Sequence, residues 1–269
     1  EHMTIAFIGL GTMGAPMAAC LAAGGHDLCV CDIDATACAA FSDMPNCRIA
    51  TSPCDAAKGA RVLITMLPDS HHVYDAILGK EGAIGSLSPG AIVVEMSTGS
   101  LPALKILETE LLAHGVHLVD APVGRSPKEA ANGSLLVLAG GAERDLAEVA
   151  PLLAVLGDEV IHNGPLGSGL KMKLVNNYMS MIGMVMTAEV LNFAQVLGLD
   201  LDQTVRVLQN TPAGRGQINT NYPKKVLSGD ISPDFPLRLG LKDIGLGLAL
   251  AQFVGAPTPL GAASQQMFA

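Results

Sequence analysis

Thr4-Ile5-Ala6-Phe7-Ile8-Gly9-Leu10-Gly11-Thr12-Met13-Gly14 decides the fold. Thr4 to Ile8 is a short apolar, β-rich run that ends directly in a GxGxxG turn. From Met13 the pattern turns helical and continues to Gly24-Gly25, a plausible stop. A second strand, Asp27 to Cys31, ends at Asp32. Glycine-rich turns are common in a chain with 30 glycines, so the motif says little by itself. Its context says more: strand, turn, helix and second strand fit within about thirty residues, with an acid at the tip, as dinucleotide binding requires. Gly9, Gly11 and Gly14 permit the tight turn and let a pyrophosphate approach the backbone N–H groups that open the helix. Asp32 then accepts hydrogen bonds from the adenosine ribose; its plainer role is a helix cap or turn residue. No Lys or Arg occurs from Ile33 to Cys47, and the carboxylate repels a 2′-phosphate, so the cofactor expected is NAD (as NADH) rather than NADP.

Further strands follow at Arg61 to Leu67, Ala91 to Met96 and His117 to Val123, with helical patterns between them. Apolar strands separated by helices imply a parallel sheet covered on both faces, whose ligands sit beyond the carboxyl ends of the strands. Leu67-Pro68, Thr98 and Gly124-Arg125-Ser126 fall at those ends. His71 and His72 read as solvated residues of a loop. Leu135 to Ala139 and Glu159 to His162 suggest late strands that close a first domain, 1–163. A second domain, 164–269, reads as helices only.

The formal charge of −9 argues against a nucleic-acid or anionic-membrane surface, since no Lys/Arg cluster is present. Six cysteines lie between Cys20 and Cys54 without the paired spacing of a zinc site, so no metal is expected and they read as small buried residues in a reducing, cytoplasmic compartment. With aromatics at 3%, Ala, Met and Leu are expected to fill the core. No signal peptide is evident. The most apolar helix offers 15 residues between Lys173 and Glu189, interrupted by Asn176 and Asn177, too few to cross a bilayer. Glu1-His2 before Met3 reads as an expression scar, and a last helix reaches Ala269 without a stop signal, which leaves room for further chain.

Gly167 to Ser180 opens the long helix of the second domain. From Lys173, the polar residues Asn176, Asn177 and Ser180 follow at i+3, i+4 and i+7, on one helical face. A lysine beside two carboxamides offers a proton donor and hydrogen-bonding groups, which suits a carbonyl that becomes an alcohol. Taken alone, these residues favour a plainer reading, in which Lys173 snorkels from a half-buried helix and the asparagines are core polars. Met181, Ile182, Met184, Val185 and Met186 make the middle of this helix apolar on every side, so neighbouring helices and a second subunit are expected to wrap it.

GLGTMG, Met66-Leu67-Pro68, Met96-Ser97-Thr98, Asp120-Ala121-Pro122-Val123, Lys173 with Asn176-Asn177, and Lys242-Asp243 together resemble the β-hydroxyacid dehydrogenase family, relatives of 3-hydroxyisobutyrate dehydrogenase. The resemblance covers nearly the whole chain. It implies a Rossmann domain, doubly wound on a parallel sheet, followed by an all-α domain like the carboxyl-terminal one of 6-phosphogluconate dehydrogenase. It also implies a catalytic lysine at Lys173 and cofactor contacts at Thr12, Met13, Asp32, Leu67, Thr98 and Lys242, in a homodimer or homotetramer. Where many members carry Ser-Gly-Gly after Pro-Val, this chain has Gly124-Arg125-Ser126. That variant, with its neighbouring motifs, is similar to a sulfonated-aldehyde-reducing branch of the family, in which Gly124, Arg125, Ser126, Asn176, Asn177 and Ser180 hold the substrate and a planar guanidinium meets a three-oxygen anion. Two roles for Arg125 stay open beside this one: binding an ordinary carboxylate substrate, and pairing with an acidic side chain. A non-catalytic dinucleotide sensor is the rival of another class.

Overall fold

The computed structural model describes residues 3–232 and 235–269, so Glu1-His2, read above as an expression scar, lies outside the described residues. The chain divides into two compact units, one ending at Asn177 and the other spanning Tyr178–Ala269.

In the first unit β1 (Thr4–Ile8), α1 (Gly14–Ala23), β2 (Asp27–Cys31), α2 (Ala35–Ala39), β3 (Cys47–Ile49), α3 (Pro53–Ala56), β4 (Val62–Thr65), α4 (Ser70–Leu78), β5 (Ile92–Glu95), α5 (Leu101–Ala113) and β6 (His117–Asp120) alternate along the chain. Their strands form one parallel sheet in the order β3-β2-β1-β4-β5-β6. The order reverses beside β1, and such a switch point leaves a crevice at the carboxyl ends of the strands. Both faces are covered, which is why the strands read as continuous apolar runs. Ile5 and Phe7 pack with Met17 and Leu21 of α1 on one side, while Ala6 and Ile8 pack with Val73 of α4 and Leu107 of α5 on the other. The period of two sends alternate residues of one strand into two separate cores.

A second, smaller sheet follows. β7 (Val123–Gly124) runs antiparallel to β8 (Leu135–Ala139), which is parallel to β9 (Gly157–His162); α6 (Pro127–Ala131) and α7 (Glu143–Leu156) connect them. The late strands expected near 135–139 and 159–162 are these. A backbone pair between Asp120 and Gly140 joins this sheet to the end of β6. His71 and His72 stand in the first turn of α4, not in a loop, because Asp69 caps that helix by accepting from both of their N–H groups.

Helix α8 (Ser168–Val196) has 29 residues, roughly 44 Å at helical rise, and crosses the boundary between the units. It runs unbroken through Lys173 and Glu189, so counting only the stretch between those charges understates it. By length and composition α8 is long and apolar enough to cross a membrane, with a mean hydropathy of 1.2 over 18 residues. Among the described residues the expected covering of its middle is missing, since Met181, Ile182, Met184, Val185 and Met186 are all exposed. The core is correspondingly poorer in methionine than composition suggests: Met17 and Met96 are buried, and the interior is otherwise mostly Ala, Leu, Val and Ile around Phe7 and Phe41. Buried cysteines contribute as well. Desolvation pushes the Cys29 and Cys31 thiols up to about 11, as befits packing groups.

Among the described residues of the second unit the regular elements are all helices. α9 (Leu201–Gln209) is capped by Asp200, which accepts from Gln203 N at 2.8 Å. α10 (Pro212–Arg215), α11 (Leu237–Val254) and α12 (Pro259–Phe268) follow. The Glu189 carboxylate accepts from Leu260 N at 2.8 Å and Gly261 N at 2.9 Å, so an anion from α8 closes the amino-terminal end of α12.

Candidate active site

The glycine turn after β1 is built by close packing. A Cβ on Gly9, whose φ is +102°, would stand 2.1 Å from the Met66 carbonyl oxygen, and one on Gly14 would stand 1.9 Å from that of Gly9. At Gly11 a Cβ meets nothing within 4 Å, so this side of the turn is open to an approaching group. No side chain caps α1, because Met13 at its amino terminus has nothing to offer. The first N–H groups of a helix need an acceptor, and here a phosphate suits them, with Thr12 and Met13 beside it. These residues therefore fit a dinucleotide.

Asp32 is neither a helix cap nor a bystander. Its Oδ2 accepts from Leu10 N at 2.6 Å and its Oδ1 from Asp34 N at 2.8 Å, while Asp34 is the residue that caps α2. The carboxylate thus fastens the glycine turn to the end of β2 and keeps lone pairs for ribose hydroxyls. Arg48, the first cation after it in sequence, is engaged with Asp55 at 2.9 Å. Leu67 and Thr98, both half-buried, lie at the ends of β4 and β5, and the Leu67 N–H donates to Ser97 Oγ at 2.8 Å.

Asp120 places the lysine. From the last position of β6 it accepts Gly167 N and Leu170 N, each at 2.7 Å, holding the first turn of α8 against the strand ends. Leu170 is buried in the core shared with α4 and α5. Lys173 follows one turn later, half-buried, and desolvation lowers its pKa from the ordinary lysine value. Asn176 donates to the Asn177 carboxamide oxygen at 3.3 Å, so the two carboxamides after Lys173 touch. Ser180 and Lys242 belong to the second unit; both are exposed, and Lys242 pairs with Asp243 at 3.2 Å.

Gly124-Arg125-Ser126 is held differently from a ready anion site. Arg125 adopts a left-handed φ of +76°. Its Nη1 donates at 2.5 Å both to the Ser134 carbonyl and to Asp158 Oδ1, and Nη2 lies 3.6 Å from Glu159 Oε2. Pairing with acidic side chains, one of the roles left open, is therefore what the structure has. Ser126 caps α6 in a capping box with Glu129, to which its hydroxyl donates. The cap accounts for that hydroxyl.

Sequence reasoning missed the anchoring role of Asp120, the buried Glu95 whose carboxylate oxygen accepts from Ser97 N at 2.5 Å, and the acids that meet Arg125. Asp120 and Glu95 carry a faint signal, an acid ending an otherwise apolar strand. Asp158 and Glu159 carry none, because their partner lies over thirty residues away.

The NAD-binding domain of 6-phosphogluconate dehydrogenase matches residues 4–164, and the NAD-binding domain of NADP-dependent 3-hydroxyisobutyrate dehydrogenase matches 167–269. The 3-sulfolactaldehyde reductase of Escherichia coli is 41% identical over 98% of this chain and 88% of its own. The 3-hydroxyisobutyrate dehydrogenase of Pseudomonas aeruginosa is 33% identical over 98% of this chain and 90% of its own. The solved structure of Mycobacterium tuberculosis 3-hydroxyisobutyrate dehydrogenase with L-serine aligns at a TM-score of 0.72 with 29% identity, covering 100% of this chain and 93% of that one.

Proposed function

Because the chain belongs to the β-hydroxyacid dehydrogenase family, the relatives of 3-hydroxyisobutyrate dehydrogenase, we propose that it is an NADH-dependent reductase of 3-sulfolactaldehyde. An NAD-dependent oxidoreductase of β-hydroxyacid dehydrogenase type is the common denominator of its relatives. The observation that carries the narrower reading is 41% identity, across 98% of the chain, to a 3-sulfolactaldehyde reductase.

Bound NADH supplies the hydride that adds to the aldehyde carbon. Lys173 stabilises the alkoxide oxygen as it forms and delivers the proton to it, giving 2,3-dihydroxypropane-1-sulfonate. Desolvation of its ammonium favours release of that proton, and the neutral amine is the base of the reverse reaction. Asn176, Asn177 and Ser180 offer hydrogen bonds to the hydroxyl and sulfonate oxygens, and Gly124 lends backbone to the same site. Arg125 supplies the countercharge once it exchanges Asp158 for the substrate; Ser126 retains its cap on α6. Thr12, Met13, Asp32, Leu67, Thr98 and Lys242 hold the cofactor.

One observation favours a second reading. A guanidinium seated on Asp158 is already matched to a carboxylate, as a carboxylate aldehyde would need. The deciding measurement is NADH oxidation with 3-sulfolactaldehyde, tartronate semialdehyde and succinate semialdehyde, repeated with NADPH. Sulfolactaldehyde is expected to lead by about tenfold or more in kcat/KM, with NADH preferred. Equal or faster carboxylate turnover selects the second reading, and no turnover with any aldehyde sinks both.

The apolar middle of α8 needs cover, and we infer that a second copy supplies it in a cytoplasmic homodimer or homotetramer. Light scattering in detergent-free buffer is expected to give at least twice the monomer mass; a monomer that partitions into detergent micelles contradicts this.

A further inference from the structure

The first unit carries two buried acids that neither give nor take a proton in the proposed transfer. Glu95 and Asp120 end the neighbouring parallel strands β5 and β6, in direct register and so about 4.8 Å apart in backbone spacing. They are 8% and 1% exposed and line one cavity with Ser70, Tyr74, Ser97 and Leu170. No cation lines it among the described residues. Of the elements around it, β4 presents Thr65, α4 presents Tyr74, α5 presents nothing ionisable and α8 presents Leu170. Two carboxylates so placed and so dry cannot both remain charged.

The hydrogen bonds decide which keeps its charge. Both oxygens of Asp120 accept N–H groups at the amino terminus of α8, where the helix dipole favours an anion. Glu95 accepts one N–H, from Ser97, with its Oε1, and the polar groups otherwise beside it are the Ser97 and Thr65 hydroxyls, which a protonated carboxyl can meet as well as a charged one. Ser97 in turn receives the Leu67 N–H. The pair thus joins two structures the reaction needs: the Leu67 to Thr98 strand ends on the cofactor side, through Glu95, and the helix bearing Lys173, through Asp120.

We propose that Glu95 and Asp120 share a single proton, held on Glu95, and that this neutral–anionic pair is a positioning device: when the proton leaves, repulsion between the two acids pushes the Lys173 helix and the Ser97-Thr98 turn out of register and turnover falls. The proposal rests on the reductase reading for its kinetic consequence only. Burial pushes the Glu95 carboxyl up to about 7, with the Asp120 charge adding to the rise, and burial raises Asp120 as well. The sign follows. The competent state prevails below about pH 7 and is lost as pH rises through it.

The test compares kcat against pH in the wild type, Glu95→Gln and Glu95→Asp. The wild type is expected to lose roughly tenfold between about pH 6 and about pH 8 through this group. Glu95→Gln, permanently neutral, is expected to lack that limb and keep the wild-type kcat within about threefold at pH 6, while Glu95→Asp retains a limb. Deprotonation of Lys173 adds its own decline at higher pH in all three. An unchanged limb in Glu95→Gln overturns the proposal. Infrared difference spectra of the wild type give a readout independent of turnover and of variant folding: a carboxylic-acid carbonyl band present at pH 6 and lost by pH 8 is expected, and its absence at pH 6 also overturns the proposal. An inactive protein that shows the band would remove the reductase reading and leave the shared proton in place.

Discussion

Lys173→Ala is expected to lower kcat by about 10²- to 10⁴-fold, the range for loss of a positioned acid, while NADH affinity stays within about twofold of wild type. The expectation follows from where the amine stands. Asp120 fixes the first turn of α8, Leu170 buries its own side chain in the core, and Lys173 comes one turn later, half-desolvated. On the proposed reading, an amine held there serves the substrate oxygen and not the dinucleotide, whose phosphates suit the glycine turn after β1. Lys173→Arg sharpens the result. It preserves the charge, yet a guanidinium does not give up a proton near neutrality, so it is expected to restore little of the rate. Stopped-flow NADH oxidation with a fluorescence titration of NADH separates the two effects. Full turnover in Lys173→Ala, or an equal loss of NADH binding, would move the proton donor elsewhere.

How far the sequence reveals this site depends on the range of each interaction. The GLGTMG turn is legible because part of its demand is local: a Cβ on Gly14 would strike the Gly9 carbonyl within the same turn, while the contact that bars a Cβ from Gly9, with Met66, comes from the next strand of the sheet. Lys173, Asn176 and Asn177 are legible through helical spacing, which needs no tertiary knowledge. β3 and β7, with three and two residues, are too short for any alternation to show. The tie between Asp32 and Leu10 spans twenty-two residues, and those from Asp120 to Gly167 and Leu170 span forty-seven and fifty. No periodicity encodes such distances. The middle of α8 misleads for a related reason: its composition demands burial, but nothing in the composition says that the burial must come from the same chain. Arg125 is the sharpest case. Its residue type signals an anion, and only the fold reveals that Asp158 and Glu159 already supply one.

That competition makes opposite predictions for two substitutions. Arg125→Ala removes the countercharge proposed for the substrate anion. Losing one partner of a hydrogen-bonded charge pair costs about 2 to 5 kcal/mol, and a guanidinium side chain 36% exposed belongs at the lower end, so kcat/KM for the anionic aldehyde is expected to fall roughly thirtyfold. Asp158→Asn acts on the other side of the exchange. It weakens the acid that holds Nη1 and leaves the guanidinium readier for substrate, so KM is expected to fall severalfold with kcat unchanged, since the transfer to Lys173's partner oxygen is untouched. An uncharged aldehyde of the same size should respond to neither substitution. If Arg125 serves only to pin β9 to the loop after β7, both variants instead lower thermal stability together, and anionic and neutral aldehydes lose rate alike. The contrast between the two aldehydes therefore separates an arginine that recognises the substrate from one that only holds the small sheet together.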